Sequence, residues 1–529
     1  MSKSLRVLPV ALACAFAFGM GSAQADELRI GLSAEPSSID PHYHNLAPNN
    51  ALVRQVYEPL LAQGPSQELL PGLAESWAPV DDTTWEFKIR KNAKFGNGNP
   101  VTVDDVIATM ERVPDVPRSP ASFAQFLTGM KFEKVDDHTL HVKTDKPSPL
   151  VPNMISVIAI VAKECADNNN FTTEDFNALK CDGGSGPFKF SEFKPGDRTV
   201  MVKNPHYWGE DPGWDKVTFR YLTSGPTRVA GLLADDVDVI EAIPPTDIAQ
   251  LRANPNINVT DTLSNRVIYL HMDQFRENSP FVTAKDGSAI KNPLLDQRVR
   301  QAMSMAINRP AIAERIMDGA AVPAEQVLAK SFFGTSQNLE APKFDLAGAK
   351  KLLEEAGYKD GFKLKIHGPA GRYTNDTQIL EAVAQMLTRL GLDVEIETMP
   401  PANFFTRAST GADGAPEFSM ILAGWGAGTG ETSGSLRSLM GTVDKEKGSG
   451  AANRGRYSNP VFDAKLDEAL TVVDDAKRAA LLGEASEIGF KDLGIIPIHY
   501  QTNVWASKKD LDVTARADEY SVAAGIKKK

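Results

Sequence analysis

Residues 361–397 read GFKLKIHGPAGRYTNDTQILEAVAQMLTRLGLDVEIE, and the periodicity of this stretch decides the fold class. Phe362, Leu364 and Ile366 alternate with lysines, as in a half-buried strand, and Ile379, Val383, Met386, Leu387 and Leu390 then recur on one helical face. Gly391 supplies a helix stop, after which Leu392, Val394 and Ile396 alternate again. Strand, helix and strand in this order predict a βαβ unit, with two parallel strands and a crossover helix.

The same reading extends outward. Leu346, Leu352, Leu353 and Ala356 line a second helix that stops at Gly357, and Leu28 and Ile30 begin a strand that runs into Pro36 and Pro41. Trp85, Phe87 and Ile89 alternate with charged residues. Val103, Val106, Ile107 and Met110 follow Thr102 at helical spacing, with Thr102 as N-cap and Asp105 three places on. The chain is therefore expected to be mixed α/β. Its 529 residues, at about 150 per domain, suggest three or four domain-sized units.

The 57 Lys and Arg residues against 68 Asp and Glu give a net charge of −11, which argues against a nucleic-acid partner. Residues 1–25 place Lys3 and Arg6 before an apolar run and end in Ala23-Gln24-Ala25, the pattern of a cleavable secretory signal. An exported chain starting at Asp26 keeps only Cys165 and Cys181, which are expected to form a disulfide. No GxSxG, HExxH or CxxC motif is present, so neither an enzyme nor a zinc site has support, and no cofactor or resident metal is expected.

Six fragments, in this order, carry a resemblance: AESWAPVD with TWEFKIR (74–90), NPVTVDD (99–105), GSGPFKF (184–190), NPHYW (204–208), DQRVRQA with AINR (296–309) and EAGYKDGF (355–362). Together they resemble the extracytoplasmic solute-binding proteins of family 5, which serve peptide- and nickel-type ABC importers. The resemblance implies a hinged, two-lobed periplasmic binding protein with an extra N-terminal subdomain. It implies a monomer in the periplasm that captures a di- or oligopeptide between closing lobes and delivers it to an inner-membrane ABC permease. Non-peptide cargo is the alternative: an opine or amino-acid conjugate, an oligosaccharide, a nickel chelate or haem. The expected organisation is 26–58, 184–285 and 498–529 for lobe I, 59–183 for the subdomain and 286–497 for lobe II.

Three loops are candidate ligand contacts. Arg372 and Tyr373 lie between a strand and a helix N-terminus, where open α/β sheets bind ligands. The segment GRYTND (371–376) resembles the loop from which dipeptide binders direct an arginine at the peptide carboxylate, and a guanidinium fork suits that group. In GWGAGTG (424–430), Gly424, Gly426 and Gly428 let the backbone approach a ligand while Trp425 offers a flat face. Peptide-binding relatives carry an aspartate for the ligand's amine about three places after this tryptophan. Gly428 stands there instead, with Glu431 near enough in sequence to substitute. Tyr43, His44 and Asn45 belong to the first loop, expected at the cleft mouth. His42 and His44 form an H-x-H pair for which ordinary hydrogen bonding is favoured over metal binding.

Overall fold

The computed structural model describes residues 26–167 and 171–529; the signal sequence read at 1–25 lies outside the described residues. Two long strands, Ile257–Met272 and Ile496–Lys508, run antiparallel and form the spine of a 12-stranded sheet. On one side, Val239–Glu241 pairs with the second of them, followed by the parallel strands Glu27–Leu32 and Lys216–Tyr221 and then antiparallel strands at the edge. On the other side, Met420–Gly426 pairs with Ile257–Met272 and leads to Lys363–Pro369.

The βαβ unit forms as its periodicity predicts. Lys363–Pro369 and Asp393–Met399 are parallel, with Leu364 opposite Val394 and Ile366 opposite Ile396, and the helix Asp376–Leu390 connects them. The helix ends at Gly391, whose φ of 122° is one that side-chain-bearing residues rarely adopt. The second helix, Leu346–Glu355, is capped by Asp345, whose side chain accepts from the Gly348 amide at 2.8 Å.

The subdomain holds a four-stranded antiparallel sheet, in which Thr84–Ile89 pairs with Ala74–Asp81 and Thr139–Thr144. Helix Val103–Arg112 packs nearby, opened by a capping box between Thr102 and Asp105. Phe87, Ile89, Val103, Val106 and Leu140 belong to one buried cluster there. The Cys165–Cys181 disulfide is present, and both cysteines pack with the first-lobe core around Tyr57, Phe176 and Phe188.

Ile268, Leu270, Met272 and Val282 are buried in one cluster with Leu364, Ile366 and Leu422. Along Ile257–Met272 the pairing register shifts between Leu263 and Val267. Along Ile496–Lys508, Tyr500 is buried in a cluster with Val267 and Tyr269, Val504 in another with Leu232 and Ile240, and Trp505 in another with Leu28 and Ile30. Each strand runs continuously from one buried cluster to the next.

Candidate ligand-binding site

A cavity of about 560 Å³ lies where the lobes and the subdomain meet, and a smaller one of about 140 Å³ adjoins it. Arg266, Arg372 and Tyr373 line both. Tyr373 is fixed by its hydroxyl, which donates to the Gly424 carbonyl at 3.1 Å. Glycine is required beneath it: a Cβ on Gly424 would stand 2.7 Å from Tyr373 Cε1 and 2.8 Å from Ile268 Cδ1. Trp425, anchored by an indole donation to Ser435 Oγ at 3.1 Å, turns part of its ring to the larger cavity.

Arg372 reaches the cleft from the loop before helix Asp376–Leu390. The loop amides of Gly371, Arg372 and Tyr373 all donate to the Asp376 carboxylate, at 2.8–3.1 Å. That carboxylate occupies the anion-attracting position at the helix start, so the guanidinium is what this loop offers a ligand. Among the described residues Arg372 makes no ion pair, and its guanidinium carbon lies 5.1 Å from the centre of the Tyr373 ring. It touches cleft solvent while protein crowds around it; this desolvation, and then the neighbouring Arg266, lower its pKa from the ordinary value. Arg266 is itself compensated, donating from Nε and Nη2 to both Glu519 oxygens at 2.7 and 3.0 Å. Burial works against the charge on both partners, but their attraction prevails, raising the arginine's pKa and lowering the glutamate's.

The glycine-rich loop approaches the subdomain through its backbone. The Ala427 carbonyl accepts from Gln67 at 3.1 Å, the Gly428 carbonyl from Gln63 at 3.0 Å and the Thr429 carbonyl from Asn153 at 3.2 Å. A Cβ on Gly428 would meet nothing within 4 Å, so the position faces open space.

Of the residues singled out in the sequence, Asn45, Arg372, Tyr373, Gly424, Trp425, Gly426 and Gly428 border the larger cavity. Glu431 does not. It is buried at the start of helix Thr432–Leu439 and pairs with Arg478 Nη1 at 2.6 Å, so its charge is matched within the lobe. Tyr43 and His44 also lie outside the lining. His44 Nδ1 contacts Ser37 Oγ at 2.9 Å, and the Tyr43 carbonyl accepts from Ser119. His42 is buried, with Nε2 at 2.7 Å from the Ala159 carbonyl and Nδ1 at 2.7 Å from Arg112, and burial lowers its pKa to about 4. The two histidines thus diverge, and among the described residues no group of three or more His, Cys, Asp and Glu is placed to hold a metal ion.

Sequence reasoning missed Arg54, Asn265, Arg266, Arg454, Asp518 and Tyr520, all of which line the larger cavity. Asn265 and Arg266 are brought there by the strand bulge, and Asp518 and Tyr520 by the C-terminal segment; neither has a local sequence signature.

The sequence profile of the bacterial extracellular solute-binding proteins, family 5 Middle, matches residues 68–447. The chain is 28% identical over 511 residues to the periplasmic murein peptide-binding protein MppA of Escherichia coli (strain K12), covering 91% of this chain and 89% of that protein. It is 27% identical over 474 residues to heme-binding protein A of Haemophilus influenzae, covering 85% and 82%. In fold it is similar to the solved ABC transporter substrate binding protein CtaP of Listeria monocytogenes, with a TM-score of 0.82, 22% identity and coverage of 95% and 99%. With the family profile matched over well beyond half its length, the chain belongs to the bacterial extracellular solute-binding proteins of family 5.

Proposed function

We propose that this chain is the periplasmic substrate-binding component of a peptide-type ABC importer. It captures a short peptide by its carboxylate, closes two lobes around it and presents it to the membrane permease. The observation that carries this reading is Arg372, which makes no ion pair among the described residues and lines, with Tyr373 and Trp425, a cavity of about 560 Å³. That volume suits a small ligand, for which cavities run to about 300–1,000 Å³. The E. coli relative is named for a murein peptide, and a structural neighbour from Helicobacter pylori was solved with the peptide STSA. Membership of a solute-binding family makes the chain a transport component rather than an enzyme. Export through the 1–25 signal fits the periplasmic relatives, and among the described residues no helix is long and apolar enough to cross a membrane.

One observation favours non-peptide cargo. Gly428 faces open space, Glu431 is paired elsewhere, and the acid that lines the larger cavity, Asp518, is held by Arg516. A ligand's free amine therefore lacks an uncompensated carboxylate there. Native mass spectrometry of protein purified without denaturation tests the two readings. A co-purified mass matching a short peptide is the expected result; a porphyrin, metal chelate or sugar conjugate would replace it with the second reading.

A further inference from the structure

The larger cavity is cationic in a protein whose net charge is −11. Four arginines line it; Arg266 is paired with Glu519, and the other three come from separate parts of the chain: Arg54 at the end of helix Ala47–Val53, Arg372, and Arg454. Among the described residues none of these three makes an ion pair. Each has its guanidinium carbon over an aromatic ring, Arg54 at 5.6 Å from the centre of Tyr520, Arg372 at 5.1 Å from that of Tyr373 and Arg454 at 5.2 Å from that of Phe405. A guanidinium held over a ring face by this attraction keeps N–H groups for a further partner, and a carboxylate can accept two of them.

The protein-derived partners of these edges are neutral. Arg54 donates to Gln63 Oε1 at 2.9 Å and to the Ser156 carbonyl at 3.3 Å, and Arg454 donates from Nε to Ser409 Oγ at 3.1 Å. The acids nearby are already matched or hydrogen-bonded. Asp518 accepts from Arg516 at 3.0 Å, Glu519 is held by Arg266, and Glu241, in the smaller cavity, accepts from Ser33 and Ser521. Closing the lobes over a neutral ligand would remove water from three positive charges and supply no counter-charge, an arrangement that costs free energy.

We propose that the cleft is built for a solute carrying two or more carboxylates, in which Arg54 and Arg454 take the acidic groups beyond the one on Arg372. This rests on the reading of Arg372 as a carboxylate anchor and narrows it to an acidic peptide class. It also gives the open space at Gly428 a neighbour of positive charge, since Gln63 joins the Arg54 guanidinium to the Gly428 carbonyl.

The test is calorimetric titration of the purified, ligand-stripped protein with the tripeptides Ala-Glu-Glu, Ala-Gln-Gln and Ala-Lys-Lys, and with citrate as a tricarboxylate that is not a peptide. The acidic tripeptide should bind about tenfold or more tightly than its amide twin, because two charges gain partners in a water-poor cleft. Arg54→Gln and Arg454→Gln should each draw that ratio towards one, and a ratio taken within one variant is insensitive to any loss of overall stability. Equal affinity for the acidic and amide twins, or preference for the lysine peptide, overturns the proposal and leaves the peptide reading standing. Binding of citrate without any peptide keeps the proposal and overturns the peptide reading. Failure of all four probes on protein with an intact melting transition overturns both.

Discussion

Arg372 sits close enough to Arg266 for the second charge to weigh on the first, and a ligand carboxylate would relieve what Glu519 leaves uncompensated. Arg372→Ala should therefore weaken binding of a carboxylated ligand by about 2–5 kcal/mol, since truncation leaves the ligand's charge unpaired in the closed cleft. In calorimetry, amidating that carboxylate should cost far more than acetylating the amine; the reverse order would remove Arg372 as the anchor. A second residue reports on pH. Glu58 accepts from Trp208 Nε1 at 2.8 Å and Ser185 Oγ at 3.0 Å, and burial raises its pKa from 4.5 to about 7. Between those values the folded protein holds a proton that the unfolded chain has released, so this group's contribution falls as pH rises through the window. Its full extent is bounded at about 3 kcal/mol. Glu58→Gln keeps a neutral acceptor and should gain stability over the parent protein at pH 8 but not at pH 4 in paired thermal melts. Buried histidines such as His42, whose pKa is lowered, act in the opposite direction, but they are common to both proteins and cancel in the difference. A stability difference that does not change with pH would mean that Glu58 titrates as an ordinary carboxylate.

The strand Met420–Gly426 places the site through what one residue lacks. In Gly424→Ala, the new methyl group would displace the Tyr373 ring, and with it the arginine stacked there, so affinity should fall by about 1–3 kcal/mol while the secondary structure is retained. Matched circular dichroism and ligand titration check this, and unchanged affinity would show that Tyr373 can move at no cost. Elements of this kind were readable in advance. The βαβ unit announced itself through Leu364, Ile366 and Val394, and the helix stop at Gly391 through its residue type. The glycine-rich loop and Arg372 were readable because both lie next to regular elements. The cation cluster was not, because Arg54, Arg372 and Arg454 converge only through tertiary folding. Nor was the salt bridge between Arg266 and Glu519, whose partners are 253 positions apart. Glu431 shows the converse: proximity in sequence suggested a ligand contact, whereas the helix it begins turns it towards Arg478.

At the scale of the whole molecule, the cleft is bounded by groups from both lobes and the subdomain, so a ligand favours the closed arrangement by as much as its contacts require all of them at once. Small-angle scattering should show the radius of gyration falling on saturation with an authentic ligand. No contraction would rule out lobe closure as the capture step. The two spinal strands, Ile257–Met272 and Ile496–Lys508, have a further consequence. They hydrogen-bond to one another on both sides of the register shift, from Ile257 opposite Lys508 to Leu270 opposite Ile496. Neither lobe can lose its sheet without stripping backbone partners from a strand that the other lobe also uses. The lobes should therefore melt cooperatively, giving one shared heat-capacity peak in scanning calorimetry instead of two. Two strands paired along such a length make the sheet a single unit of stability.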